Sequence, residues 1–185
     1  MAVAQHMSEH EYEAFVLSGI EGSWELHDGR LVEKPGMSWK HSAIASLLGF
    51  LLQSQLDLAE YRVFYDSRVR RPAATIFLPD LMVVPVTYGE GIAELPVLAI
   101  FSQPLPLVVE VWSPSTGDYD VDTKIPAYRQ RGDLDIWRIH PYERTLSRWV
   151  RQPEGAYAES THHGGVVALA ALPGVTIDLD RLFAS

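Results

Sequence analysis

Two carboxylates in this chain stand where apolar side chains are expected. Glu110 interrupts Leu107-Val108-Val109-Glu110-Val111-Trp112, a run that otherwise predicts a strand buried on both faces. Asp80 stands between Pro79 and the apolar Leu81-Met82-Val83-Val84. A carboxylate at such a position must be paired, hydrogen-bonded or metal-bound, because burying it bare is costly. A third segment, from Asp118 to Tyr128, places Asp118, Asp120 and Asp122 at a predicted helix start, where they suit the helix dipole, with Lys124 one turn in. Each feature has a plainer explanation: a turn-forming Pro-Asp, a structural ion pair between Glu110 and a buried arginine, a solvated lysine. Together, two strand-borne acids and one lysine make a hydrolytic constellation. Hard cations such as magnesium take oxygen ligands and keep several waters. The metal lowers the pKa of a bound water and polarises phosphoryl oxygens, while the lysine orients the water or stabilises developing charge.

The elements that position these residues follow from local pattern. Ser8 with Glu11 forms a capping box ahead of a short helix carrying Tyr12, Phe15 and Val16. Residues 24–33 predict a β-hairpin turning at Asp28-Gly29, a pair that accepts positive φ. Residues 38–59 predict the strongest helix, capped by Ser38, with Ile44, Leu47, Leu48, Leu51, Leu52 and Leu58 at three- and four-residue intervals. His41 lies near that apolar face. Strands are expected at 61–69, 75–84, 105–112 and 134–139, a helix at 118–130 ended by Gly132, an edge hairpin from 145–150 and 156–160, and a last strand at 166–169. Residues 85–103 form an excursion rich in Gly and Pro. This order predicts an α+β domain with a mixed sheet, in which the strand–helix–strand unit over 105–139 gives a parallel pair.

The length of 185 residues suits one domain, here spanning 1–185, and 47% hydrophobic with 21% charged residues is enough for a packed core. The absence of cysteine excludes a disulfide scaffold and a cysteine-ligated zinc site. No apolar run approaches the roughly 20 residues that span a bilayer, and residues 1–10 do not have the pattern of a signal peptide. A soluble cytoplasmic protein without membrane contact is expected. The net charge of -9 argues against a general nucleic-acid coat protein, although a carboxylate-rich metal site contributes to such a charge and the bound cation reverses its local sign. Arginines cluster at Arg62, Arg68, Arg70 and Arg71 and again at Arg144, Arg148 and Arg151, as a solvated surface would.

The motifs resemble those of the Uma family of putative restriction endonucleases. Trp24-Glu25-Leu26-His27-Asp28-Gly29-Arg30-Leu31-Val32-Glu33 is similar to the family's opening, and His41, Pro79-Asp80, Val109-Glu110-Val111-Trp112-Ser113-Pro114-Ser115-Thr116, Lys124, Tyr128 and Ile136-Trp137-Arg138-Ile139 follow in the family's order, across residues 12–150. The family is similar to the PD-(D/E)XK nucleases. The resemblance implies a restriction-endonuclease-like mixed sheet flanked by helices and a magnesium (or manganese) site for DNA cleavage. In it Asp80 and Glu110 are the metal-binding acids and the Val111 carbonyl a further ligand. The superfamily's lysine normally sits two residues after the second acid, where this chain has Trp112, so Lys124 is implied as its replacement. Glu33 or Glu25 would supply an additional acid. His41 would orient a ligand, or be a satisfied core histidine. Pro126, inside the predicted helix, either interrupts it or marks its true start near residue 125. Two alternatives stand beside a metal-dependent endonuclease: a catalytically weak nucleic-acid-binding module that keeps the fold, and a homodimer joined through Trp137, Trp149 and the C-terminal hairpin.

Overall fold

The computed structural model describes residues 6–115, 117 and 119–184. Thr116 and Asp118, both named above, lie outside them, as does the start of the N-terminal segment.

The capping box forms as expected: the Ser8 hydroxyl accepts the Glu11 N–H and Glu11 reaches back to Ser8 N–H, starting α1 (Glu9–Leu17). The hairpin is β1 (Ser23–His27) and β2 (Arg30–Lys34), with Asp28 at φ 46° and Gly29 at φ 73°. Ser38 caps α2 (Trp39–Gln53), whose Ile44, Ala45, Leu48, Leu51 and Leu52 are buried. The helix ends short of residue 59, and just beyond its end the Gln55 side chain pairs with both backbone groups of Thr176.

Each of the two long strands expected at 61–69 and 75–84 is divided between two sheets. The first becomes β3 (Tyr61–Phe64) and β4 (Arg68–Arg71), separated by a turn with Asp66 at φ 45°. The second becomes β5 (Thr75–Phe77) and β6 (Leu81–Pro85). Pro79 forces this second break, since it has no N–H to give to a ladder.

After a 3-10 turn (Val86–Gly89) come β7 (Ile100–Phe101) and β8 (Leu107–Val111). A π-helical turn (Asp120–Lys124) leads into α3 (Ile125–Arg131), which ends at Gly132 with φ 89°. Pro126 lies in the first turn of α3. Its missing N–H leaves the Asp122 carbonyl without its i+4 donor and favours the wider turn before it. Then follow β9 (Asp135–His140), β10 (Thr145–Arg151), β11 (Tyr157–His162), β12 (Val166–Ala168), β13 (Thr176–Asp178) and α4 (Leu179–Phe183).

One sheet has the order β2-β1-β5-β4-β7 and a second β11-β10-β9-β8-β6-β3, while β12 and β13 form a separate ribbon. The β8–α3–β9 unit gives the expected parallel pair, with Glu110 opposite Arg138. Alternation along the six-stranded sheet separates two cores. Leu81, Val83, Val109 and Ile139 face α2, α4 and the ribbon. Met82, Val84, Val108 and Ile136 face α3 together with Val69, Phe77 and Phe101 of the other sheet. Trp137 and Trp149 are buried, one in each core, so the apolar dimer surface expected of them does not exist: their indoles are consumed by internal packing. Among the described residues no helix is long and apolar enough to cross a membrane.

Candidate active site

The site lies where the chain passes from one sheet to the other. At this crossing neither polar backbone group of Leu78 relies on a strand partner. Its N–H donates to Glu25 Oε1 at 2.9 Å, and its carbonyl accepts from Lys34 Nζ at 3.1 Å. Glu25 and Lys34 belong to the two strands of the hairpin and share one of its faces, as the register Ser23↔Lys34 and Glu25↔Val32 requires. Glu33 falls on the opposite face and is exposed. Of the two hairpin acids, Glu25 is buried among the charges of the site, while Glu33 stands on the wall of the cleft beside it.

Asp80 follows immediately. The antiparallel register Leu81↔Val109 places it beside Glu110 at the end of the ladder. Its Oδ2 accepts the Val111 N–H at 2.7 Å, in place of a strand carbonyl, and lies 2.9 Å from His41 Nε2. Its Oδ1 is 2.7 Å from Lys34 Nζ, which also pairs with Asp66. Asp80 and His41 are both buried, and His41 Nδ1 has no hydrogen-bond partner among the described residues. Burial alone would raise the Asp80 carboxyl. The His41 contact and the Lys34 ammonium outweigh it and hold this acid well below the usual carboxylate range.

Glu110 shares its sheet face with Val108 and is 1% exposed between the two sheets. Tyr128, one helical turn beyond Lys124, donates its hydroxyl to Glu110 Oε1. Lys124 Nζ lies 3.3 Å from Glu110 Oε1, 2.9 Å from Glu25 Oε1 and 3.6 Å from Asp120 Oδ1. Lys124 therefore reaches one of the two predicted metal-binding acids by contact, whereas the ammonium in contact with Asp80 belongs to Lys34. The ion-pair partner seen on Glu110 is this lysine, in place of the buried arginine of the plainer explanation. Burial would lower the Lys124 ammonium, but Glu110, Glu25 and Asp120 together raise it well above the ordinary value, so it stays charged. Burial pushes the Glu110 carboxyl up. Lys124 opposes this, and the nearby Asp120 and Asp80 charges add to it.

Beside this cluster opens a cleft of about 240 Å³ lined by Glu25, Glu33, Lys34, Ser115, Tyr119 and Lys124. Among the described residues no three Asp, Glu or His side chains converge as a ready-made metal cage. Magnesium seldom uses one: one or two carboxylates, waters and substrate oxygens suffice. By that measure the donor set fits a hard divalent cation. Four buried carboxylates, Glu25, Asp80, Glu110 and Asp120, face two buried ammonium groups, Lys34 and Lys124.

Lys34 was not singled out in the sequence. Its signal was available: it shares the hairpin's alternation with Glu25 and directly precedes the Pro35-Gly36 that ends the strand. Tyr128 was noted only by its place in the motif order.

Comparison with known proteins agrees with this architecture. A putative nuclease belonging to DUF820 from Anabaena variabilis has a similar solved structure, with TM-score 0.77 and 20% sequence identity, covering 96% of this chain and 98% of that one. That likeness bears on the fold. No curated protein matches. The Uma2 family model, described as "Putative restriction endonuclease", matches residues 10–180, and the chain belongs to that family.

Proposed function

We propose that this protein is a metal-dependent endonuclease that hydrolyses DNA phosphodiester bonds. The observation that carries this reading is the excess of buried carboxylate over ammonium at the junction of the two sheets, beside an open cleft. Family membership supports the reaction class, and the hard-oxygen donors support magnesium, with manganese as a substitute.

Asp80 and Glu110 would hold the ion, with the Val111 carbonyl as a third oxygen from the same strand. A bound ion supplies Lewis acidity and a water of lowered pKa. The chain's own residues do the rest. Val111 N–H and His41 fix the Asp80 carboxylate from one side. The Tyr128 hydroxyl fixes Glu110 Oε1. Lys124 keeps a full positive charge near the cleft, where it stabilises negative charge developing on a phosphoryl oxygen. Lys34 neutralises Asp80 until substrate and ion arrive.

The test is cleavage of plasmid and single-stranded DNA with magnesium or manganese, against chelator, for wild type and Glu110→Gln. Cleavage should require metal. It should fall in the variant by more than the roughly 10–100-fold that losing an outer-shell partner of a metal site costs. Undiminished cleavage by Glu110→Gln would defeat the mechanism. A second reading, a nucleic-acid-binding module without turnover, is favoured by one observation: ammonium groups reach the cleft wall, while Asp80 and Glu110 do not line it. It predicts salt-dependent binding with no metal-dependent product in the same assay.

A further inference from the structure

An aromatic surface adjoins the site and takes no part in the roles above. Trp112, next to Val111, stacks on His140 with ring centroids 4.3 Å apart and planes at 24°. Tyr142 meets both edge-on, at 5.9 Å from Trp112 and 6.5 Å from His140. Lys40 Nζ lies 5.6 Å from the centre of the Tyr142 ring, and the Tyr142 hydroxyl reaches Ser38 Oγ at 3.5 Å. Trp39, between Ser38 and Lys40, is 89% exposed, and Tyr142 is 54% exposed. This surface is tied to the acids from two directions: His41, in the same helical turn as Trp39 and Lys40, touches Asp80, and so does the Val111 N–H.

Resting on the nuclease reading, we propose that Trp39 and Tyr142 form a base-stacking platform for an unpaired DNA strand, with Lys40 contacting its backbone, so that the protein prefers single-stranded or frayed DNA to intact duplex. The argument is one of compensation. A protein with net charge -9 cannot draw its affinity from a broad positive footprint. Stacking on aromatic rings needs no such footprint and works with any base, because every base has a π face. In a duplex those faces are already stacked on one another, so an exposed indole reaches them only where the strand is unpaired. A single cation over the Tyr142 ring suits one phosphate of a strand bound beside it.

The experiment is anisotropy of a labelled oligothymidine of about a dozen nucleotides, and of a duplex of equal length, titrated with full-length protein in chelator, so that cleavage does not enter. The single strand should bind more tightly than the duplex. Trp39→Ala and Tyr142→Ala should each weaken single-strand binding by roughly 5- to 150-fold, the range for losing one base–aromatic stack. Trp39→Phe, which keeps a ring, should retain most of the binding, which separates stacking from any loss of fold. Phe50→Ala removes another exposed ring from the same helix and should change nothing. Tighter duplex binding, unchanged affinity in both platform variants, or an equal loss in Phe50→Ala would overturn the proposal. If Glu110→Gln abolishes cleavage while the platform variants bind normally, the platform fails and the nuclease reading stands. If no cleavage is ever found while Trp39→Ala loses the strand, the reverse holds.

Discussion

Replacing Lys124 with methionine tests the electrostatic account of the site most directly. Methionine keeps an unbranched chain of similar length and deletes the ammonium that touches Glu25, Glu110 and Asp120. Breaking a buried ion pair by removing one partner costs about 3–5 kcal/mol. For a chain of this size that corresponds to a fall of roughly 6–20 °C in melting temperature. The loss should depend on pH with a definite sign. The Glu110 carboxyl is already raised in the folded protein, by burial and then by Asp120 and Asp80, against the pull of Lys124. An acid raised on folding binds more protons in the native state between about 4.3 and its native value, so its contribution to stability declines as pH rises through that window. Deleting Lys124 removes the opposing pull and extends the window upward. Lys124 itself, raised in the folded state, stays protonated across neutral pH and adds no slope there. The variant should therefore lose more stability at pH 8 than at pH 5.5, because falling pH favours the protonated form of Glu110 and so removes uncompensated charge. It should also gain more thermal stability from magnesium than wild type does, because more negative charge is left uncompensated, while cleaving DNA poorly. Urea midpoints and melting temperatures at both pH values, with and without magnesium, make the measurement. Equal destabilisation at the two pH values, or wild-type stability at pH 8, would refute the charge-excess argument.

Other expectations follow from single contacts. Asp80 is depressed in the folded state, so its contribution is present above about pH 3.9 and is lost as pH falls toward its native value. Asp80→Asn should start less stable than wild type at pH 7 yet show a shallower loss below about pH 4 in urea titrations. Tyr128→Phe removes the hydroxyl that donates to Glu110 and should cost about 1–3 kcal/mol by denaturant unfolding, with reduced cleavage because the carboxylate is less fixed. Gly132→Ala should cost about 1 kcal/mol or more in the same assay. The nearest atoms to an added Cβ, in Arg151 and Pro104, are 3.7 Å away, so the penalty lies in the left-handed φ of 89° alone.

Much of this protein was legible in local pattern. The Ser8 and Ser38 caps, the Asp28-Gly29 turn and the apolar stripe of α2 depend on neighbours within a few residues, where side-chain chemistry acts directly on the backbone, and the parallel pair around α3 follows from the crossover rule once its strand–helix–strand order is read. Asp80 and Glu110 were visible for a related reason: an acid inside an apolar strand advertises a buried charge wherever that strand packs.

The rest depended on where elements meet. Periodicity alone did not divide residues 61–69 and 75–84 between two sheets. Pro79 and the turn at Asp66 did so, and the hairpin's Glu25 and Lys34 then took over the backbone groups of Leu78 that a continuous strand would have paired. The same junction decided that Lys34 pairs with Asp80, that Glu25 is buried among the charges while Glu33 stays on the cleft wall, and that Lys124 reaches Glu110 and Glu25 through a widened helical turn. Trp137 and Trp149, plausible surface anchors by residue type, became core because both faces of their sheet are covered. An ion pair between distant segments is set by the docking of sheets and helices, and spacing along the chain carries no record of that distance.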